Sequence, residues 1–252
     1  MTEKEYIPST AMSIQAHPDD QEFTIAGTLA RWVQKGCQVI SVIVTSGDSG
    51  SNDPSKGTDY KPILAHLREE EQIAANLLLG IRETAFLHYP DGELQATLGL
   101  RKDLTRLIRL YKPEVVVTGD PTRLFHGSDY VNHPDHRAAA EAAIYATFPS
   151  AGTRLIFTDL LDEGYEPHNV KKLYLHGAEE PDVWVNISET LDLKVAALKA
   201  HASQLGDWDP EEMIKEWATE TGKAKKLKAA EAFKVMTLVE EKQELEESKK
   251  QQ

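Results

Sequence analysis

Gln38-Val-Ile-Ser-Val-Ile-Val-Thr45 is the stretch of this sequence that says most about its fold. It is short, rich in β-branched residues and almost free of polar side chains, which is typical of a strand covered on both faces. Similar but shorter runs lie at 12–16, 84–87 and 114–118. Strands of this kind indicate a mainly parallel sheet with helices on either side.

Helix-like stretches separate these runs. They lie at 20–35, 62–79, 98–111 and 134–147. Gly36 and Gly80 stand where helix C-caps are expected. Strands alternating with helices of this length predict right-handed βαβ units. We therefore expect an α/β fold with a Rossmann-like, doubly wound sheet whose strand order is near 3-2-1-4-5.

The second half of the sequence predicts a smaller C-terminal extension of strands and helices. The expected strands are 155–158, 172–176, 183–187 and 231–238, and the expected helices are 188–204 and 209–222. No linker rich in proline, glycine or serine divides the chain. We therefore expect a single domain at 1–239, followed by a charged tail at 240–252 that is helical or frayed.

Composition limits the possible partners and location. The net charge of −13 over 252 residues disfavours binding to nucleic acid or to an anionic membrane. The most apolar run, 39–44, is too short to span a bilayer, so no membrane insertion is expected. The lone cysteine, Cys37, cannot form an internal disulfide, and residues 1–13 lack the apolar region of a signal peptide. These features predict a cytoplasmic protein.

Two polar clusters each follow a predicted strand. Ala16-His-Pro-Asp-Asp-Gln-Glu22 follows the first strand, and His133-Pro-Asp-His136 follows the fourth. In a sheet of order 3-2-1-4-5 these two strands are neighbours, and the crevice at their carboxyl ends is the expected ligand site. Nitrogen and oxygen ligands converging from two elements are what a zinc site requires.

The spacing within each cluster supports a metal site. His17 and Asp20 are three residues apart, as are His133 and His136, so each pair lies on one side of a turn. A hydrolytic zinc site uses three protein ligands and leaves one position open for water. A further carboxylate near the metal would take the proton of that water. The spare carboxylates are Asp19 and Asp135. The residues alone do not choose between His133 and His136 as the ligand.

Two other interpretations compete with a metal site. Asp19 or Asp20 could simply cap the helix, with Glu22 completing a capping box, while the two later histidines could be solvated first-turn residues. A non-catalytic Rossmann-like nucleotide-binding module is a second alternative. That module requires a glycine-rich turn after the first strand, whereas the first glycine here is Gly27.

The two clusters together resemble those of the LmbE-like (PIG-L) family of zinc-dependent de-N-acetylases. The resemblance extends from about Met12 to Leu238 and includes Pro90-Asp-Gly-Glu-Leu94 and His201-Ala-Ser-Gln204. Members of this family remove acetyl groups from small molecules that contain N-acetylglucosamine. The resemblance therefore implies a deacetylase, a hydrolase of linear amide bonds that releases acetate. A sister hypothesis keeps the metal site but changes the substrate, for instance to a thiol-cofactor precursor.

The resemblance also implies the cofactor and the roles of the first cluster. The cofactor would be Zn²⁺, or another divalent metal such as Fe²⁺, and the protein would be a homo-oligomer, a trimer or a hexamer. His17, Asp20 and His136 would bind the metal. Asp19 would be the general base that activates the attacking water.

The remaining roles that the resemblance implies concern the substrate. His133 would stabilise the tetrahedral oxyanion and could protonate the leaving amine, and Asp135 would orient His133. Arg68 and Asp91 would contact sugar hydroxyls or the substituent on the sugar. The loop 122–132 would either shape the acceptor pocket or form a solvated lid.

Overall fold

A computed structural model describes residues 5–239 of the chain. Within that range, seven strands form one sheet and two short strands form a separate hairpin. The sheet contains β1 (Thr10–Gln15), β2 (Gln38–Thr45), β3 (Glu83–Tyr89), β4 (Val115–Gly119), β7 (Lys172–His176), β8 (Val183–Asn186) and β9 (Ala230–Thr237). The hairpin consists of β5 (Phe125–His126) and β6 (Tyr130–Val131), which pair antiparallel.

Helices cover both faces of this sheet. They are α1 (Asp20–Thr24), α2 (Ala26–Gln34), α3 (Lys61–Leu79), α4 (Leu98–Tyr111), α5 (Pro134–Tyr145), α6 (Asp159–Asp162), α7 (Leu191–Lys199), α8 (Ala202–Leu205) and α9 (Glu211–Lys223). A 3₁₀ turn at Thr58–Tyr60 precedes α3, and a π-helical turn at Ala146–Ser150 follows α5.

The strand order confirms the predicted fold class. The sheet runs β3-β2-β1-β4-β7-β9-β8, so the first four positions follow the expected 3-2-1-4 order and β7 takes the fifth. Strands β1 to β4 and β7 are parallel, while β9 is antiparallel to both β7 and β8. The C-terminal extension therefore continues the same sheet.

Strand β2 is buried on both faces, as its composition predicted. Val39 packs with Leu29 and Trp32 in the core on one face of the sheet. Ile40 packs with Leu104 in a second core on the other face. A strand in this position has no solvent-facing side, and its almost uninterrupted run of β-branched residues follows from that.

The strand predicted at 155–158 is wrong. The chain forms turns there and then enters α6. Phe157 has a left-handed backbone with φ of 55°, and Leu155 is 81% exposed. The buried guanidinium of Arg109 accounts for this, because it donates hydrogen bonds to the carbonyls of Thr153 and Ile156. Those backbone groups are therefore not available to a neighbouring strand, and β7 is the fifth strand of the sheet.

Two helices predicted as continuous are each divided. The stretch 20–35 breaks at Ile25, and 188–204 breaks between α7 and α8. The first break has a visible cause, because the carboxylate of Glu231 on β9 accepts the backbone N–H groups of Gly27 and Thr28. A carboxylate at this position satisfies unpaired donors and favours a new helix N-terminus there.

Neither the tail nor the domain boundary is tested by the fold. The predicted tail at 240–252 lies outside the described residues, so the boundary at 239 stays a prediction. No helix within residues 5–239 is long and apolar enough to cross a bilayer.

Glu231 also forms a buried ion pair with Lys194 of α7. The lysine Nζ lies 2.6 Å from Oε1 of Glu231 and donates to the carbonyl of Thr24. Both side chains are about 95% buried. This pair therefore joins α7, β9 and the break between α1 and α2.

We expect Lys194→Met to lower the free energy of unfolding by about 3–5 kcal/mol, because it leaves a buried carboxylate without its cation. Urea denaturation followed by circular dichroism measures the change. Lys199→Met on the same helix is the matched control, since Lys199 is exposed and its ion pairs contribute about 1 kcal/mol or less. Equal losses in the two variants would contradict a structural role for the buried pair.

Candidate functional site

The candidate site lies where the order of the sheet reverses. From β1 the chain moves outward to β2 and β3, then crosses back to β4 on the other side of β1. The loops that leave β1 and β4 therefore part in opposite directions and open a crevice at the carboxyl ends of the strands. His17 follows β1, Asp91 follows β3, and residues 132–136 follow β4.

Asp20 builds the turn at the end of β1 and also faces the crevice. Its Oδ2 accepts the backbone N–H groups of Ala16 and His17 at 3.1 and 2.9 Å. Its Oδ1 lies 3.0 Å from Nε2 of His136. Burial raises the pKa of Asp20, but His136 and His17 outweigh it, so the pKa lies well below its usual value. The carboxylate of Asp20 thus binds N–H groups of the turn before α1, whereas a helix cap would bind N–H groups of the helix itself.

His17 is held by carboxylates on both sides of its ring. Nδ1 lies 3.5 Å from Oδ2 of Asp20, while Nε2 faces Oδ1 of Asp91 at 3.1 Å and Oδ2 of Asp135 at 3.4 Å. Burial lowers the pKa of His17, but Asp20, Asp135 and Asp91 together raise it well above its usual value. With Nε2 directed at two carboxylates, Nδ1 is the nitrogen on the Asp20 side.

His136 is oriented by a residue that the sequence analysis did not single out. Its Nδ1 lies 3.2 Å from Oδ1 of Asn132. The amide of Asn132 has one consistent orientation, because its Nδ2 donates to the carbonyl of Arg123 at 2.9 Å. Oδ1 of Asn132 therefore accepts the proton on Nδ1 of His136, and Nε2 is the nitrogen that faces Asp20. Burial lowers the pKa of His136, but Asp20 outweighs it and raises the pKa. The available sequence signal was the position of Asn132 directly before the His133-Pro-Asp-His136 cluster.

The Asp135 carboxylate contacts His17 and a loop more closely than it contacts His133. It is fully buried and accepts the backbone N–H groups of Gly92 and Leu94 at 2.7 and 3.2 Å. Its Oδ1 is 4.0 Å from Nδ1 of His133, whereas its backbone N–H lies 3.2 Å from that atom. The backbone of Asp135 thus orients His133, and the side chain supports His17.

Asp19 stands at the edge of the crevice on an unusual backbone. Its φ is 92°, in the left-handed region, and its side chain makes no capping hydrogen bond to α1. Nη2 of Arg68 binds Oδ2 of Asp19 at 3.0 Å and the carbonyl of Pro18 at 2.7 Å. Burial raises the pKa of Asp19 to about 6, although Arg68 opposes this. Helix capping therefore does not explain Asp19.

The two residues expected to contact the sugar are both largely buried. Arg68 is 4% exposed and also donates to the carbonyl of Gly47 at 2.8 Å. Asp91 is 6% exposed and accepts the N–H of Ser49 at 2.7 Å in addition to facing His17. Burial raises the pKa of Asp91, but His17 and the N–H of Ser49 lower it to about 2. Their substrate contacts stay predictions, while the structure adds contacts with Asp19 and His17.

Two sets of three side chains within residues 5–239 could hold a metal ion. Each set places one ligand atom per residue within 4.8 Å of the others. The sets are His17, Asp20, His136 and His17, His133, Asp135. Each offers two nitrogens and one oxygen, a donor set found in catalytic zinc sites. In the second set Nδ1 of His133 already accepts the backbone N–H of Asp135, and Asp135 accepts two further N–H groups, so we take the first set as the candidate. Asp20 already lies between the two histidines, with Oδ1 on Nε2 of His136 and Oδ2 near Nδ1 of His17, so these residues fit a divalent metal.

Comparison with known proteins connects this geometry to a family. A sequence profile described as "PIG-L: GlcNAc-PI de-N-acetylase" matches residues 12–147, which is more than half of the chain. The chain belongs to the PIG-L family. The resemblance inferred from the two polar clusters is therefore confirmed, and both clusters lie inside the matched residues.

Individual relatives of this PIG-L protein extend the likeness beyond the matched residues. A diacetylchitobiose deacetylase of Thermococcus kodakarensis is 29% identical over 208 residues, covering 79% of this chain and 73% of the relative. A 1D-myo-inositol 2-acetamido-2-deoxy-alpha-D-glucopyranoside deacetylase of Mycobacteroides abscessus is 30% identical, covering 77% and 81%. The structure of N,N'-diacetylchitobiose deacetylase from Pyrococcus horikoshii has a TM-score of 0.83 at 29% identity, covering 91% and 84%.

We expect Asn132→Leu to weaken Zn²⁺ binding by about 10- to 100-fold, because His136 loses the acceptor that fixes its tautomer and ring orientation. Competition with a chromophoric chelator measures the affinity without reference to activity. Asn52→Leu in an exposed loop serves as the control and should bind zinc like the unmodified chain. Unchanged affinity in Asn132→Leu would mean that the hydrogen bond does not support a ligand.

Proposed function

We propose that this PIG-L family protein hydrolyses the acetamide of a small molecule that contains N-acetylglucosamine, releasing acetate and the free amine. The observation that carries the proposal is the convergence of His17, Asp20 and His136 beside the partly buried carboxylate of Asp19. The names of the relatives support the substrate class, since diacetylchitobiose and the acetamido-glucopyranoside of inositol are both N-acetylated sugars.

The metal in this proposal would be held by Nδ1 of His17, Oδ1 of Asp20 and Nε2 of His136. We propose Zn²⁺, because two imidazoles and one carboxylate suit it, although Fe²⁺ accepts the same ligands. When bound, the metal would supply a Lewis acid that lowers the pKa of water to about 7 and polarises a carbonyl. The carboxylates of Asp91 and Asp135 would hold the ring of His17 for this task.

Asp19 would be the general base. Arg68 binds its Oδ2, so Oδ1 is the atom that takes a proton from the attacking water. A pKa raised to about 6 by burial gives this carboxylate a useful proton affinity near neutral pH. The water oxygen then bonds to the acetyl carbon. As the C–N bond breaks, Asp19 returns the proton to nitrogen, which leaves as the amine. The acetic acid that is formed loses its remaining proton to solvent and departs as acetate.

His133 would donate a hydrogen bond to the oxyanion of the tetrahedral intermediate. Its Nδ1 accepts the backbone N–H of Asp135, so the proton of the neutral ring is on Nε2. Burial and the neighbouring His17 lower the pKa of His133, which favours this neutral form. Its side chain is 41% exposed, so the ring is open to a substrate in the crevice.

The sugar would lie against the hairpin of β5 and β6. Phe125 and Tyr130 are 61% and 50% exposed there, and Asn132 ties this hairpin to His136. Aromatic faces provide apolar surface for a sugar ring. We also retain the cytoplasmic location and the trimeric or hexameric assembly as parts of this proposal; the single buried cysteine supports the former and the family resemblance the latter.

We expect the zinc-loaded protein to release acetate from at least one of N-acetylglucosamine, diacetylchitobiose and N-acetylglucosaminides, and to lose this activity with a chelator. Asp19→Asn should keep its metal but turn over about 100- to 10,000-fold more slowly, because Asn is nearly isosteric and cannot take the proton. Acetate release and elemental analysis measure the two quantities. An inactive unmodified protein would exclude the function, whereas near-normal turnover of Asp19→Asn would exclude only its role as base.

His133 and His136 should respond differently to substitution. His133→Ala removes a donor needed only in the transition state, so turnover should fall about 100- to 1000-fold with metal content unchanged. His136→Ala removes a ligand, so the purified protein should contain little metal. Metal content and turnover of both variants decide the matter. If His133→Ala loses metal and His136→Ala keeps it, the two roles are reversed.

A further inference from the structure

The buried face of α3 is polar where a core helix is normally apolar. Arg68, Gln72 and Asn76 follow one another at intervals of four residues and therefore share one side of the helix. They are 4%, 0% and 1% exposed, and the buried Leu64 and Leu79 lie nearer the two ends of the helix. Burying a polar group destabilises a protein unless its hydrogen bonds are satisfied, so this stripe requires an explanation beyond packing.

Gln72 connects this stripe to Asp19. Its Oε1 accepts the backbone N–H of Asp19 at 3.0 Å, and its Nε2 donates to Oε1 of Glu22 at 3.1 Å and to Oδ1 of Asn76 at 3.3 Å. A flipped amide would direct donor at donor and acceptor at acceptor, so the orientation of the Gln72 side chain is determined. Every polar atom of this side chain is used to hold the backbone of Asp19 against a buried anchor.

The anchor is the fully buried carboxylate of Glu22. Its Oε1 accepts hydrogen bonds from Gln21 at 2.8 Å and from Gln72. Its Oε2 lies 3.3 Å from Nε2 of His201, which is also fully buried. Within the described part of the chain, neither this oxygen nor either ring nitrogen of His201 has a partner with hydrogen-bond geometry. His201 and Glu22 were not predicted as members of the metal site, and both belong to the buried cluster that Gln72 joins to Asp19.

Asp19 needs this support because of its backbone. With φ of 92° it occupies the left-handed region, which residues with a side chain rarely adopt. Such a conformation persists where surrounding contacts determine it. Arg68 binds the carboxylate, and Gln72, one turn further along α3, binds the N–H of the same residue. Residues on two consecutive turns of α3 thus hold both the carboxylate and the backbone N–H of Asp19.

We propose that Gln72 is a positioning residue that holds the carboxylate of Asp19 in its working place, with the buried Glu22, packed against His201, as its anchor. This inference rests on the proposed function, in which Asp19 takes the proton of the attacking water. Gln72 itself touches neither the substrate nor the metal. A carboxylate displaced by about 1 Å is enough to cost about 100-fold in rate, which is the scale of the effect expected here.

The test substitutes Gln72→Leu in the full-length, zinc-loaded protein. With the N-acetylated sugar that the acetate screen shows to be turned over fastest, kcat should fall by about 100-fold while KM and metal content stay close to those of the unmodified chain. Hydrogen exchange supplies a readout independent of activity. The amide of Asp19, protected by Gln72 in the unmodified protein, should exchange faster in the variant.

Two further variants separate positioning from general loss of stability. Ser41→Ala removes a fully buried hydroxyl that donates to Gln21 at 3.1 Å, in the same network but further from Asp19. It should lower the melting temperature yet leave kcat near that of the unmodified protein. In an Asp19→Asn background, Gln72→Leu should have almost no further effect on kcat, because the group it positions is already absent.

The outcomes distinguish this inference from the proposed function. If the unmodified protein releases acetate but Gln72→Leu loses no more activity than Ser41→Ala, or loses the same factor in both backgrounds, the inference is overturned and the function stands. If the unmodified protein releases no acetate from any screened sugar, the function fails. Gln72→Leu removes one of the two donors to the buried carboxylate of Glu22, and the variant could fail to fold for that reason. In that case the double variant Glu22→Gln with Gln72→Leu is compared with Glu22→Gln alone, and the same outcomes apply.

Discussion

One carboxylate both closes the first turn of the site and directs a ligand atom into it. Oδ2 of Asp20 accepts the N–H groups of Ala16 and His17, and this fixes the path of the chain between β1 and α1. With that oxygen held, Oδ1 faces the loop that follows β4 and lies 3.0 Å from Nε2 of His136. The hydrogen bonds of one carboxylate therefore determine both the conformation of the turn and the direction of the ligand atom. The geometry of the crevice depends on them.

The sequence was sufficient to predict the order of the first four strands and the meeting of the two polar clusters. Runs of β-branched residues such as 38–45 and helical stretches between them are local patterns, and the rules for parallel sheets convert them into an order of strands. The same rules bring the carboxyl ends of β1 and β4 together. The clusters at 17–22 and 133–136 could therefore be placed in one crevice before any coordinates were known.

The partner of each side chain could not be predicted, because it depends on loops far apart in sequence. Asp135 was expected to orient His133 beside it, yet its carboxylate lies on His17, 118 residues away. The break between α1 and α2 involves Glu231, more than 200 residues further on. Arg109 likewise holds a segment that has strand-like composition but turns. Such contacts join residues that are far apart in the sequence and that only the assembled sheet brings together.

The pKa values of the adjacent Asp19 and Asp20 shift in opposite directions. This difference suits the two different roles proposed for them. Burial raises the pKa of both Asp19 and Asp20, but histidines on two sides of Asp20 reverse the effect there. Asp19 has Arg68 as a counter-ion, yet the ionised Asp20 beside it acts against ionisation, and its pKa rises to about 6. A carboxylate that stays ionised suits a ligand, whereas one with a higher proton affinity suits a base. The environment, rather than the residue type, divides the roles between neighbours.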